Sequence, residues 1–155
     1  MTPDHDRPQR PVSAPARRRR RRVGLALLVV LAVSALGAVV LYERYLPNLR
    51  VLRPGVFYRS GQPRGIGLPV LGLMGVKTMV TLRSKMDEEA QAEAAWCRRN
   101  GVRFVRLPLK SAPEAIDAAV TEILAIVADP RNHPILVHCA RGKERSGLIS
   151  AVFRM

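Results

Sequence analysis

The sequence has two cysteines in 155 residues, Cys97 and Cys139. Two are too few for the disulfide framework that holds small secreted domains together. No cysteine–histidine cluster has the spacing of a zinc site. No internal repeat is found. Acidic residues are scarce, 12 against 26 basic, which leaves a formal charge of +14. Charge of either sign is missing altogether from Val23 to Tyr42, "VGLALLVVLAVSALGAVVLY", a run of 20 residues.

At about 1.5 Å rise per residue, that run matches a hydrocarbon core of about 30 Å and reads as a membrane-spanning helix. The alternative is a cleaved signal peptide, whose apolar region is shorter, about 7–15 residues, and ends at a small-residue cleavage site. Here the small residues Ser34, Ala35, Gly37 and Ala38 lie inside the run, which continues through Val39, Val40 and Leu41. An uncleaved anchor fits this pattern better. Six consecutive arginines, Arg17 to Arg22, precede the run, with Arg7 and Arg10 before them. Cationic flanks stay in the cytoplasm. The expected arrangement is a single-pass protein with residues 1–22 as a basic cytoplasmic tail and residues 23–42 as a signal anchor. Residues 43–155 then form an extracytoplasmic domain, periplasmic in a two-membrane bacterium. An arginine run also suits nucleic acid. Next to a hydrophobic span the topology reading is the better one, and no nucleic-acid partner is expected. The residues after the run keep 18 basic and 10 acidic side chains. Such a balance suits an anionic substrate or a membrane surface.

Asn48–Leu52 and Val56–Tyr58 read as short strands around an Arg-Pro-Gly turn. "SGQPRGIG" is a loop, and Leu68–Met74 a short helix weakened by its glycines. The β-branched stretch Val76–Leu82 reads as a buried strand. Asp87–Asn100 is a helix opened by acids and closed by Arg98 and Arg99, an order that complements the helix dipole. Val102–Leu109 is the next strand. Ile116, Val120, Ile123, Leu124 and Val127 recur at helical spacing, and Asp129-Pro130 ends that helix. "PILVHC" is a last buried strand, and Leu148, Ile149, Val152 and Phe153 mark a closing helix. Strands alternate with helices, so the fold class is α/β, with a mostly parallel central sheet flanked by helices.

The stretch "HCARGKERSG", His138 to Gly147, joins that last strand to that last helix. An apolar strand, a tight loop and a helix N-terminus make an anion site, because loop amides and the helix dipole converge on one spot. A cysteine at the start of the loop has its thiolate favoured by the same field. Arg145 brings a planar fork that holds two phosphate oxygens at once. Ser146 is placed to hydrogen-bond the sulfur. Gly142 and Gly147 permit the turn and close backbone approach. The plain reading of Cys139 is a small buried hydrophobe, but a chance cysteine would not bring the arginine, serine and glycine at these offsets. Cys97 reads as a core-facing thiol; the sharper alternative is a reversible disulfide with Cys139.

Cys, five residues, Arg, Ser, preceded by His138, resembles the signature of the cysteine-based protein tyrosine phosphatase superfamily. "VFYRSGQP", "GVKTMVTLR" and "GVRFVRLPL" are similar to successive blocks of the bacterial and plant–fungal atypical dual-specificity branch. The likeness covers roughly Arg50 to the C-terminus. It implies hydrolysis of phosphate monoesters in two steps, through a phosphocysteine on Cys139, with no metal or other cofactor. Arg145 and the loop residues Ala140, Arg141, Gly142, Lys143 and Gly147 would bind the phosphate, and Ser146 would help the sulfur leave. His138 would orient and tune the cysteine; a plain core histidine is the alternative. The implied substrates are phosphorylated proteins or phosphoinositides. Arg141 and Lys143 suit a substrate with more than one phosphate, or simply steer phosphate towards the loop.

The resemblance also implies a general acid, usually an Asp in the loop after the strand that ends at Leu109. That loop reads "KSAPEAID" and carries none. Glu144 in the phosphate loop and Asp117 on the following helix are the leading candidates. Glu114 ranks lower, since Ser111 to Glu114 fits a capping box. The chain stops at Met155, about ten residues into the closing helix, where the family continues with further helical sequence; a truncated or minimal domain is therefore expected. The rival from another class is a membrane-tethered module that binds phosphorylated ligands without turnover.

Overall fold

The computed structural model describes residues 14–109 and 113–155, with side chains for residues 19–109 and 116–155. The first helix, α1 (Ala14–Tyr45), starts earlier than the uncharged run and includes the six arginines. Arginine is a good helix former, so the change from charge to apolar surface does not break the backbone pattern. Arg19–Tyr45 is long and apolar enough to cross a membrane. Among the described residues, those up to Val39 and those from Val40 onward form separate compact units.

The second unit holds a five-stranded mixed sheet. Its strands are β1 (Arg50–Arg53), β2 (Phe57–Ser60), β3 (Thr78–Thr81), β4 (Arg103–Arg106) and β5 (Ile135–His138), in the order β1-β2-β5-β3-β4. Only β1 runs antiparallel, joined to β2 by the tight Arg-Pro-Gly turn; the other pairings are parallel. The helices are α2 (Gly67–Leu73), α3 (Glu88–Arg99), α4 (Pro113–Ala128) and α5 (Arg145–Arg154). A 3-10 turn, Pro130–Asn132, follows α4, where Asp129 caps the Arg131 amide.

Side chains alternate across a strand, so each strand feeds two cores. Phe57, Val80, Ile135 and Val137 pack on one face with Ala119, Ile123 and Ile126 of α4 and Ile149 of α5. Phe57 also stacks on Phe153, with ring centroids 4.4 Å apart, and so holds the last turn of α5. Tyr58, Met79 and Leu136 face the other way, against Leu68 and Leu71 of α2 and Cys97 of α3. α3 begins as its sequence requires: the Asp87 carboxylate accepts from the Ala90 N–H, and Glu88 and Glu89 follow in the first turn.

His138, the last residue of β5, pairs with Ser60 of β2 and Thr81 of β3. The chain leaving β5 is therefore flanked by the loops leaving its two neighbours. Ligands of open parallel sheets bind outside these carboxyl ends of the strands.

Candidate active site

Cys139 is the first residue past β5 and only 4 % exposed. Its Sγ accepts from the Gly142 N–H at 3.2 Å and lies 3.5 Å from the Ser146 hydroxyl oxygen. Burial acts against its thiolate, yet the amides of Ser146, Gly142 and Arg141 and the Ser146 hydroxyl outweigh it. The thiol pKa is held below its ordinary value. α5 starts at Arg145, so its positive N-terminal end adds to the same field.

Arg145 is half-buried, and its Nη1 donates to the Leu82 carbonyl at 2.9 Å. Leu82 is the residue after β3, so the guanidinium is braced by a neighbouring strand end. A shallow cleft of about 170 Å³ lies beside it, lined by Arg83, Ser84, Lys85, Ala140 and Arg145. Arg83 and Lys85 come from the loop after β3, outside the Cys139–Gly147 motif. The exposed Arg141 and Lys143 sit on the loop itself.

Gly142 has φ +74°, and a Cβ there would meet the Gly61 nitrogen at 2.3 Å and the Ser60 carbonyl carbon at 2.5 Å. A Cβ on Gly61 would in turn meet the Arg141 carbonyl carbon at 2.9 Å. The two glycines let the loop after β2 lie backbone against backbone behind the Cys139 loop. The Gln62 N–H donates to the Ala140 carbonyl there, at 3.1 Å. Gly147 has a different role from the turn expected of it. It lies in the first turn of α5, where a Cβ would meet only the flexible Arg59 guanidinium, at 3.2 Å.

Behind the loop runs a buried polar chain. His138 Nε2 lies 2.7 Å from Glu93 Oε1, both side chains fully buried. Gln62 Nε2 donates to Glu93 Oε2 at 2.7 Å, and Arg83 Nη1 donates to Gln62 Oε1 at 2.6 Å. Arg83 is also forked onto the Asp87 carboxylate, which is held below its usual range chiefly by that hydrogen bond. His138 Nδ1 faces the Cys139 carbonyl at 3.4 Å. His138 thus links the strand end to α3 through Glu93, and its ring also stands beside the Cys139 backbone. A buried carboxylate is costly unless paired, and removing one partner of such a pair typically costs about 3–5 kcal/mol. Of this chain the sequence signalled only His138. Glu93 lies on the same helix face as Ala90 and Cys97, three residues after one and four before the other, so the core-facing reading of Cys97 was the one signal that could have found it.

Glu144 is exposed at the N-cap position of α5, and its carboxylate does not cap that helix. Asp117 is exposed on α4. Ser111, Ala112 and the side chain of Glu114 lie outside the described residues, and so does the expected capping box. The disulfide alternative for Cys97 meets an obstacle. Both thiols are free, Cys97 packs on the sheet face opposite to that of Cys139, and its Sγ contacts Met79 Sδ at 3.1 Å. Among the described residues no group of His, Cys, Asp and Glu is placed to hold a metal ion.

Comparison with known proteins agrees with this geometry. The family model "DSP-PTPase phosphatase fused to NAD+ Kinase" matches residues 33–155. Inositol diphosphatase DSP1 of Oryza sativa subsp. japonica is 31% identical over 111 residues, covering 69% of this chain and 49% of that protein. Dual specificity protein phosphatase TpbA of Pseudomonas aeruginosa is 34% identical over 109 residues, covering 70% and 46%. The chain thus spans about half the length of these curated relatives. The crystal structure of the core catalytic domain of the PP-IP phosphatase SIW14 from S. cerevisiae superposes with a TM-score of 0.60 and 27% identity, covering 69% of this chain and 64% of that one. That of P. aeruginosa TpbA, also solved in complex with pTyr, gives 0.56 and 32%, covering 69% and 62%. By family match, by fold and by the loop that follows β5, the chain belongs to the dual-specificity branch of the cysteine-based protein tyrosine phosphatases.

Proposed function

We propose that the protein is a membrane-anchored phosphatase that hydrolyses phosphate monoesters through a phosphocysteine on Cys139. The observation that carries this is the thiol itself: at a strand end, beneath converging amides and a helix N-terminus, with Ser146 beside it. In the first step the Cys139 thiolate attacks phosphorus, an S–P bond forms, and the P–O bond to the alcohol or phenol breaks. The leaving oxygen takes a proton from a carboxylic acid. In the second step water attacks phosphorus, the S–P bond breaks, and the water's proton passes to the same carboxylate. Arg145 and the loop amides hold the equatorial oxygens throughout, a preorganised electrostatic stabilisation. Ser146 donates to the departing sulfur. Glu144 is assigned as the acid because it belongs to the loop and makes no capping bond to α5; Asp117 is the alternative.

The cleft beside Arg145 favours a substrate with a second anionic group. Lys85 lines it and makes no ion pair among the described residues, and Arg141 and Lys143 add charge to the loop. Inositol phosphates and phosphoinositides fit this better than a lone phosphotyrosine. The basic tail and the apolar helix support the anchor, with the domain on the side away from the tail.

The test is release of p-nitrophenol from p-nitrophenyl phosphate by the full-length chain in detergent. Vanadate-sensitive, chelator-resistant turnover is expected. Vanadate binding without turnover would favour the phospho-ligand-binding module. For topology, alkaline phosphatase fused after Met155 is expected to be active in a bacterial host; an inactive fusion, with a cytoplasmic reporter active at the same point, reverses the orientation.

A further inference from the structure

Two carbonyls of the Cys139 loop point away from the sulfur, and each is held. The Ala140 carbonyl accepts from the Gln62 N–H at 3.1 Å, and the Arg141 carbonyl accepts from Asn48 Nδ2 at 2.8 Å. In a trans peptide the carbonyl and the following N–H lie in one plane and point to opposite sides. Holding the Ala140 carbonyl on the Gln62 side turns the Arg141 N–H inward. Holding the Arg141 carbonyl on the Asn48 side turns the Gly142 N–H inward, where it meets Cys139 Sγ at 3.2 Å. We propose that Asn48 is a positioning residue of the active site, whose side-chain amide fixes the Arg141 carbonyl and so aims the Gly142 N–H at the sulfur and at the oxygens of a bound phosphate. This rests on reading the loop as a phosphate site.

Asn48 lies 93 residues before its partner, in the short connection between α1 and β1. Its backbone is unusual. With φ +53° it is the only non-glycine residue with positive φ among those described. Asparagine is among the residues that tolerate this region best, but glycine would enter it at no steric cost. A bare turn would be served by glycine; the amide is what glycine lacks. The conformation is pinned from both sides. The Asn48 N–H donates to Glu43 Oε2 at 3.1 Å, and the preceding Pro47 carbonyl accepts from the Gly61 N–H at 2.6 Å. Gly61 is the residue that packs against the Arg141 carbonyl carbon. The left-handed turn therefore places the Asn48 side chain over the loop's outer edge.

The experiment uses full-length protein in detergent, in a Cys97→Ser background. Two readouts need no turnover: the pH dependence of Cys139 alkylation by iodoacetamide, and protection of Cys139 from alkylation by vanadate. Asn48→Gly keeps the backbone conformation and removes the amide. It is expected to move the alkylation midpoint up towards the free-thiol value of about 8.5 and to raise the vanadate needed for protection about tenfold, the weight of one hydrogen bond to a charged group. Asn48→Asp, nearly isosteric, sets a carboxylate against the Arg141 carbonyl and is expected to do both more strongly; it carries the test if the glycine variant fails to fold. An unchanged midpoint and unchanged protection in a folded Asn48→Gly protein would overturn the assignment. Loss of p-nitrophenyl phosphate turnover in the unsubstituted chain, with vanadate protection intact, would instead remove the phosphatase reading and leave Asn48 testable.

Discussion

The two thiols of this chain are nearly equal in burial and opposite in chemistry. Cys97 is fully buried in the last turn of α3, and Cys139 is 4 % exposed at the end of β5. Burial, with the Glu93 charge adding to it, pushes the Cys97 thiol up to about 12. Cys139 meets the same penalty, but the amides of Ser146, Gly142 and Arg141 and the Ser146 hydroxyl overturn it. The difference lies in which helix end each sulfur meets. Cys97 sits near the carbonyl end of its helix, where the dipole disfavours an anion; Cys139 faces the amide end of α5. With burial nearly equal, the direction of nearby backbone dipoles is what separates the two thiol pKa values.

The largest expected effect tests this contrast directly. Cys139→Ser is expected to abolish p-nitrophenyl phosphate hydrolysis, because a serine hydroxyl ionises far less readily than a thiol whose pKa is lowered. Cys97→Ser is expected to leave kcat close to that of the parent while lowering Tm, since it places a hydroxyl against the Met79 sulfur in an apolar cluster. Comparable losses of kcat in the two variants would end the assignment of Cys139 as the nucleophile.

The carboxylates beside the thiols extend the comparison. Glu93, near Cys97, is buried and committed to His138 and Gln62. Glu144, on the Cys139 loop, is exposed and uncommitted. Of the two, the exposed carboxylate is the one proposed to exchange protons with a substrate. General acid catalysis contributes about 10²–10⁴-fold. Glu144→Gln is expected to slow alkyl phosphates by a factor in that range and nitrophenyl phosphate far less, because nitrophenolate leaves without a proton. Equal slowing of both would move the acid to Asp117.

A smaller effect is expected from the amides. Gly142→Ala sets a Cβ against the Ser60–Gly61 backbone, and the loop must shift. Misplacing one oxyanion-type donor costs about 10²–10³-fold in kcat. Gly101→Ala is the control, with a similar positive φ of +67° and no atoms in the way. A Gly142→Ala protein as impaired as Gly101→Ala, and no more, would show that strain and not amide placement is at work.

The local parts of this site were legible in the sequence, and the long-range parts were not. Every strand, and every α-helix after α1, lies within a few residues of its expected place, because apolar periodicity, Asp87 and Gly101 are local signals. The spacing of Cys139, Arg145 and Ser146 marked the loop. α1 began earlier than expected because arginine continues a helix as readily as leucine. What sequence reading missed was the second layer: Gln62, Arg83, Glu93 and Asn48. Each acts on a residue far away in the chain, and each has an ordinary local explanation as a loop amide, a surface cation, a helix-face acid or a turn former. The register of β2 and β3 beside β5 brings the loops of Gln62 and Arg83 to one place, α3 adds Glu93, and the turn before β1 adds Asn48.

The smallest expected effect turns the contrast into thermodynamics. A thiol whose folded-state pKa lies below its unfolded value releases its proton more easily in the native protein. Between those two values the unfolded state binds more protons, so stability rises with pH. For Cys139 the rise begins at its lowered native pKa and stops near the unfolded thiol value of about 8.5. Below that window both states hold the proton, and the contribution is gone. Cys97 has the opposite sign. Its native pKa is about 12, so its thiol favours folding least above about 8.5, where the unfolded chain ionises first. Urea unfolding across this pH range is the measurement, comparing the parent with Cys139→Ser and Cys97→Ser. The difference between the parent and Cys139→Ser is expected to grow with pH up to about 8.5 and then level off, at no more than about 1.4 kcal/mol per pH unit. The difference between the parent and Cys97→Ser is expected to be flat below about 8.5 and to turn against the parent above it. Parallel curves for the two variants would mean that the amides behind Cys139 do not distinguish it from a buried thiol.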